Sequence, residues 1–260
     1  MQALLALVGL LGLAAGSFGN VVIHRVPRGE SLLRPGSHCP QCKAPVRHRH
    51  NLPVLGWLLL RGRCAGCRRP IGIRYPLVEI GTAALFVLLT ARIGGTPALP
   101  AYLFLAAIAV PLAVIDLDVR RLPNAIVLPS YPVLAALLAG ASANRHEWWP
   151  LARSGIGAAA LFAFYLVLAL AYPSGMGFGD VKLAGLLGGV LAYLSWSALV
   201  VGAFLGFLLG AVVGVAVIAA GRGSRKTALP FGPAMLAGAL LAVLLADPIA
   251  GWYGQFTPTG

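Results

Sequence analysis

An all-α membrane protein of about eight transmembrane helices, with a zinc-ribbon-like loop after the first helix, is predicted by three observations. Hydrophobic residues make up 59% of the 260-residue chain and charged residues only 10%, at a mean hydropathy of +0.86, an apolar share above that of an average soluble domain. The apolar residues fall into runs of membrane-spanning length separated by polar, Pro or Gly breaks. The four cysteines form two C-x-x-C pairs in the break after the first run.

The first run, Ala3 to Ile23, carries no charge and has roughly the 20 residues that a bilayer core requires. No basic residue precedes it and it is longer than the usual signal-peptide core, so it is expected to stay as a helix. The chain then divides into this helix (1–23), a polar loop (24–75) and a membrane region (76–260).

The loop holds "CPQC" (Cys39, Cys42) and "CAGC" (Cys64, Cys67), with 21 residues between the pairs. Each C-x-x-C turn offers two thiolates, and two turns complete a tetrahedron, which is the zinc-ribbon pattern. A loop facing a reducing cytoplasm disfavours disulfides, so metal ligation by the four thiolates ranks above a redox dithiol. His38, His48 and His50 lie close enough in sequence to replace a thiolate, or are solvated polar residues of a basic loop. With only Leu52 to Leu60 as an apolar run, the loop needs a metal for its fold. Four thiolates leave no open position, so that metal is structural.

Further spans are expected near 76–91, 99–115, 125–141, 155–172, 181–193, 196–220 and 229–246. Residues 181–220 form almost one apolar run, too long for a single crossing, and are divided at "YLSW" (193–196). With the N-terminus outside, the segments 24–75, 116–124, 173–182 and 221–228 face the cytoplasm and hold 17 of the 20 Lys and Arg; only Arg92, Arg145 and Arg153 fall outside. This asymmetry follows the positive-inside rule. It accounts for the net charge of +13 by attraction to anionic lipid headgroups, with no nucleic acid needed.

Acidic residues number seven, and a carboxylate beside an apolar span is a functional candidate because charge near hydrocarbon is costly. Asp180, in "SGMGFGDVKLA" (174–184), and the pair Asp116 and Asp118, in "VIDLDVRRLPN" (114–124), fall on one membrane face under the topology drawn from Lys and Arg alone. Two neighbouring carboxyls can activate water and protonate a leaving amide nitrogen, which is aspartic-protease chemistry. Asp116 and Asp118 stand about 200° apart around a helix, so only one faces a partner, and Asp116 adjoins the apolar run. Gly175, Gly177 and Gly179 permit close backbone approach to Asp180, or form a turn between spans. Lys182 offsets the aspartates, holds a substrate carboxylate, or snorkels to the interface.

These motifs resemble a known family, the bifunctional type IV prepilin leader peptidases, membrane aspartic proteases of the G-x-G-D class. The likeness rests on "GSFGNVVIHRVP" (16–27), both C-x-x-C pairs, "RYPLVEIGTA" (74–83), "IDLDVRRLPN" (115–124), "GMGFGDVKLA" (175–184) and "LPFGP" (229–233), in family order along nearly the whole chain. The resemblance implies that Asp116 and Asp180 are catalytic, with Gly177, Gly179, Lys182 and Asp118 in support. It implies an enzyme of the inner membrane that removes the basic leaders of prepilins and pseudopilins after a glycine, at the cytoplasmic face, for type IV pili or type II secretion. It further implies N-methylation of the new terminus with S-adenosylmethionine, with Asn20 and Glu79, in the flanks of the first loop, as candidates for holding that cofactor.

Two other readings stand beside this one. A peptidase without methyl transfer keeps the aspartates alone, and a transporter or assembly scaffold uses the metal loop to bind a partner. A transporter places its ionisable groups near the bilayer midplane, whereas these carboxylates gather at one rim. The sequence is silent on oligomeric state.

Overall fold

A computed structural model describes residues 2–172, 176–221 and 230–254, with the side chains of His48 and of residues 246–254 left aside. Eight long helices stand at the eight expected places, and no strand occurs among the described residues. They are α1 (Gln2–Arg25), α3 (Arg74–Ile93), α4 (Leu99–Val119), α5 (Asn124–Arg145), α6 (Trp149–Ala171), α7 (Phe178–Leu194), α8 (Trp196–Ala219) and α9 (Gly232–Gly254), with a short α2 (Leu55–Leu59) in the loop. Six of them (α1, α3, α4, α5, α6 and α8) are long and apolar enough to cross a membrane, which fits a multi-pass membrane protein. Of the eight expected spans, six are thus matched by helices of sufficient length and apolarity. Helix α7 has 17 residues, and the apolar stretch described for α9 runs only from Gly232 to Leu245. The loop 222–228 and its three basic residues lie outside the described residues.

Two boundaries differ from expectation in ways that matter for the site. Helix α4 continues past residue 115 to Val119 and stops where Arg120 turns left-handed at φ 52°. Asp116 and Asp118 thus belong to a helix, not to a loop. Helix α9 begins at Gly232 rather than at residue 229.

The chain forms two compact units. One takes in Met1–Gly95 with Ala106–Pro111. Here α1 and α3 pack at backbone distance, because the α1 glycines form a G-x-x-x-G pattern: a Cβ at Gly12 would lie 2.6 Å from the Ala83 Cα, and one at Gly16 would lie 2.6 Å from the Glu79 Cα. Close approach of this kind replaces the hydrophobic effect, which lipid does not supply between helices. The buried Arg25 ends α1 by donating to the carbonyl oxygens of Ser31 and Pro35, at 2.8 and 2.6 Å, which fastens the start of the loop to the helix.

The second unit holds Thr96–Leu105 and the chain from Leu112 on. Its centre is α7, of whose 17 residues twelve are buried. A helix apolar all round must be enclosed by others. Gly157 of α6 and Gly188 of α7 meet backbone to backbone, and Tyr102 of α4 donates its hydroxyl to the Val190 carbonyl oxygen at 3.2 Å. Ser195, extended at φ −168°, breaks the long apolar run at the expected place, and its hydroxyl accepts the Ala198 N–H at the start of α8. Arg153, placed in an outer loop by the sequence reading, lies in α6 and donates to the carbonyl oxygens of Ala192, Tyr193 and Leu194. It satisfies C-terminal carbonyls of α7 that have no partner within the helix.

Candidate active site and metal centre

Asp116 lies in the last turn of α4, only 5% exposed. Its Oδ2 accepts the backbone N–H of Gly232, the first residue of α9, at 3.1 Å. Asp118, two residues on, is exposed, as the helical phase requires.

Asp180 is the third residue of α7 and reaches back to accept the Gly177 N–H at 3.2 Å. This is the carboxylate half of a capping box, favoured by the positive end of the helix dipole. Leu122 stands at both helix starts, since its side chain would meet a Cβ on Gly179, beside Asp180, at 3.2 Å and one on Gly232, the donor to Asp116, also at 3.2 Å. Each carboxyl is thus held by a backbone donor at a helix start, and the two together can keep one proton between them, the arrangement that lets one accept a proton while the other gives one.

The supporting residues take defined places. A Cβ at Gly179 would stand 3.2 Å from the Leu122 Cβ, so this glycine admits the chain's own turn after α4. Gly177 supplies the N–H to Asp180, and Gly175 lies outside the described residues. Lys182 donates to Asn124 Oδ1 at 3.0 Å and stands over the Phe178 ring, 4.9 Å from its centroid. The Tyr131 hydroxyl donates to the Lys182 carbonyl oxygen at 2.6 Å, fixing that turn of α7 from α5. Gly232, Leu122 and Asn124 were not singled out from the sequence. All three lie within the quoted stretches "IDLDVRRLPN" and "LPFGP", but their roles depend on contacts between distant segments.

In the first unit the four cysteine sulfurs all lie within 4.8 Å of one another, with Cys39 to Cys67 at 3.9 Å and Cys42 to Cys64 at 4.0 Å. A tetrahedron with metal–sulfur bonds of about 2.3 Å has sulfur–sulfur edges of about 3.8 Å, so the cage fits an ion. The two halves repeat each other. Cys39 N–H donates to the Ala44 carbonyl oxygen and Lys43 N–H to that of Cys39; Cys64 and Arg68 do the same with Arg69 and Cys64. Lys43 and Arg68 are both left-handed, at φ 58° and 61°. Backbone N–H groups of Cys42 and Gln41 hold the Cys39 thiol down to about 6, and those of Cys67 and Gly66 lower Cys64. The Arg69 N–H lowers Cys67 too, but desolvation and the sulfurs of Cys42, Cys64 and Cys39 outweigh it and push that thiol up to about 11. Four sulfurs this close cannot all ionise without a cation.

The histidines do not join the cage among the described residues. His38 Nδ1 instead lies 3.0 Å from the Gly36 carbonyl oxygen. The His48 side chain is outside the described residues.

Asn20 and Glu79 come together on one cleft of about 800 Å³, which they line with Tyr75, Trp57, Cys39 and Cys64. Asn20 Nδ2 donates to the Tyr75 carbonyl oxygen at 3.1 Å, and the buried Glu79 accepts the Val54 N–H at 2.7 Å. Val54 holds a left-handed φ of 59°, costly for a β-branched residue, so Glu79 pins a strained turn at the cleft wall. The volume lies in the range of small-molecule sites.

Comparison with known proteins gives a consistent result. The family model for the bacterial Peptidase A24 N-terminal domain matches residues 10–93, and that for the type IV leader peptidase family matches residues 103–215. The chain is 36% identical to a prepilin leader peptidase/N-methyltransferase of Aeromonas salmonicida (strain A449), over 95% of its own length and 93% of the relative's. A protein of the same description from Pseudomonas putida is 36% identical over 94% of the chain and 92% of the relative. One from Bacillus subtilis (strain 168) is 34% identical over 96% of the chain and 98% of the relative. No solved structure matches the chain.

Proposed function

The chain belongs to the type IV leader peptidase family, and from that membership we propose that it cleaves the leaders of prepilins or pseudopilins after a glycine and then N-methylates the new terminus with S-adenosylmethionine. The observation that carries the peptidase half is that Asp116 and Asp180, from two separate helices, are each held by a backbone donor at a helix start, with Leu122 against both of those starts. One carboxylate takes a proton from water, which attacks the scissile carbonyl. The other carboxyl gives its proton to the amide nitrogen as that bond breaks. Acid and base are roles of the pair, since coupled carboxyls titrate together. Gly177 and Gly179 shape the approach to Asp180, Lys182 steadies the turn through Asn124, and Asp118 is secondary.

The methyl-transfer half is supported by the cleft beside the cysteine cage. Its volume suits a nucleoside-sized cofactor, the Glu79 carboxylate suits a cationic amine, and Asn20 offers a neutral polar edge. S-Adenosylmethionine supplies an electrophilic methyl group when bound. Asn20 and Glu79 would hold it, and the acceptor is the amine freed by cleavage. Cys39, Cys42, Cys64 and Cys67 would hold a structural zinc, since tetrathiolate sites favour that ion and leave no position for a reactant. The distribution of Lys and Arg supports an inner-membrane enzyme whose site faces the cytoplasm, in contact with anionic lipid. A prepilin's apolar helix would then lie in the bilayer with its leader junction at the rim, as type IV pilus and type II secretion substrates require.

The test is a purified-protein assay with a synthetic prepilin bearing a Gly-Phe junction and S-adenosylmethionine, read by mass spectrometry. The expected product has lost its leader and gained one methyl group. Glu79→Gln is expected to lower methyl transfer by about tenfold or more while cleavage stays within about twofold, the loss being that of one charge-assisted hydrogen bond. Equal loss of both reactions would remove Glu79 from the cofactor site.

A further inference from the structure

We propose that Gly232 is a positioning residue for leader cleavage: its backbone N–H fixes the Asp116 carboxyl, and its lack of a side chain is what lets the carboxyl come to that donor. The proposal rests on the reading of Asp116 as one of the catalytic pair.

The geometry is specific at both ends of the bond. Gly232 N–H donates to Asp116 Oδ2 at 3.1 Å in a buried setting. A Cβ built on Gly232 would stand 2.7 Å from that same Oδ2 and 3.2 Å from Leu122 Cδ2. The smallest side chain would therefore push on the carboxyl itself, and Leu122 closes the way around it. As the first residue of α9, Gly232 carries an N–H with no partner inside its helix. Pro233 follows with no N–H to offer, so the glycine donor is directed at one acceptor.

The donor is also held still. Phe231 packs its ring 5.4 Å from that of Phe207 and 6.3 Å from that of Tyr165, while its carbonyl oxygen accepts the Met235 N–H at 3.1 Å. Tyr165 stacks on Phe207 at 5.3 Å. Phe231 is thus wedged into aromatic packing, and Gly232 inherits its position from it. With Oδ2 held, the other oxygen of Asp116 is left for water or for the shared proton. A bond of this kind sets orientation, and a displacement of about 1 Å at a catalytic group costs about 100-fold in rate.

The experiment compares wild type, Gly232→Ala, the double variant Gly232→Ala/Leu122→Ala and Asp116→Asn. Each full-length protein is assayed for leader cleavage by kcat and KM, and for methyl transfer to a pilin peptide already lacking its leader. We expect Gly232→Ala to lower kcat about 100-fold with KM within about twofold and methyl transfer at the wild-type level. The double variant is expected to stay slow, because removing Leu122 relieves crowding without freeing Asp116. Wild-type kcat in either glycine variant overturns the proposal. So does a Gly232→Ala protein that loses both reactions together, since the glycine then serves the fold. Cleavage surviving Asp116→Asn overturns the underlying reading and this proposal with it, whereas cleavage lost there but kept in the glycine variants overturns this proposal alone.

Discussion

Asp116→Asn is expected to lower leader cleavage by about 1,000-fold or more, the range lost with a general acid or base, while Asp118→Asn stays within about threefold of wild type. The two residues are neighbours of one chemical type on one helix, so composition, net charge and local propensity are matched. What separates them is helical phase: Asp116 is turned inward onto Gly232, whereas Asp118 is exposed. Asparagine keeps the shape and still accepts the Gly232 N–H, so the fold should hold while the proton is lost. The rates are measured on purified proteins matched for melting temperature. Equal losses from both substitutions would mean that the face of α4 does not decide activity.

Cys64→Ser is expected to abolish metal binding and to lower methyl transfer by about 100-fold or more, with cleavage within about tenfold of wild type. The reason lies in how little else holds the loop. Leu55, Leu58 and Leu59 of α2 are exposed rather than packed into a core, and the two cysteine turns are joined through their sulfurs. Structural zinc contributes about 10–16 kcal/mol to small peptides of this type, more than the loop's apolar contacts can replace. Cys39 and Cys64 also form part of the cleft wall that holds Asn20 and Glu79. The check is metal content by mass spectrometry beside both activities. Wild-type methyl transfer in a metal-free protein would separate the cage from the cleft.

Much of this arrangement was legible in the sequence because it follows from periodicity and chemistry along the chain. The apolar runs placed the eight helices, and Ser195 at the predicted break shows why: a capping hydroxyl in an extended residue is a local signal. The helical angle between Asp116 and Asp118 was likewise local. The cysteine spacing announced a cage, and the offset that repeats Cys39–Pro45 as Cys64–Pro70 is visible by eye.

What was not legible depends on which segments meet. An apolar run shows that a face is buried and leaves its partner unspecified. Arg153 read as an outside loop charge until α7 supplied three carbonyls for it. The end of α4 was set too early because a carboxylate ordinarily signals a loop, and here the Gly232 N–H compensates it inside a helix. The G-x-x-x-G pattern of Gly12 and Gly16 was present in the sequence, and its meaning appears only when α3 is laid against it. Asn124 drew no notice, being one polar residue in a turn, until Lys182 reached it.

The most direct measurement is leader release from a full-length prepilin in lipid nanodiscs by wild type and Asp180→Asn, with methyl transfer to a leaderless peptide followed in the same samples. The account predicts that Asp180→Asn releases no leader on the timescale of complete wild-type cleavage and still methylates the peptide, because it assigns cleavage to Asp116 and Asp180 and cofactor binding to Asn20 and Glu79. Leader release at the wild-type rate by Asp180→Asn would contradict it, and the peptidase chemistry would then have to be sought away from the Asp116 and Asp180 pair.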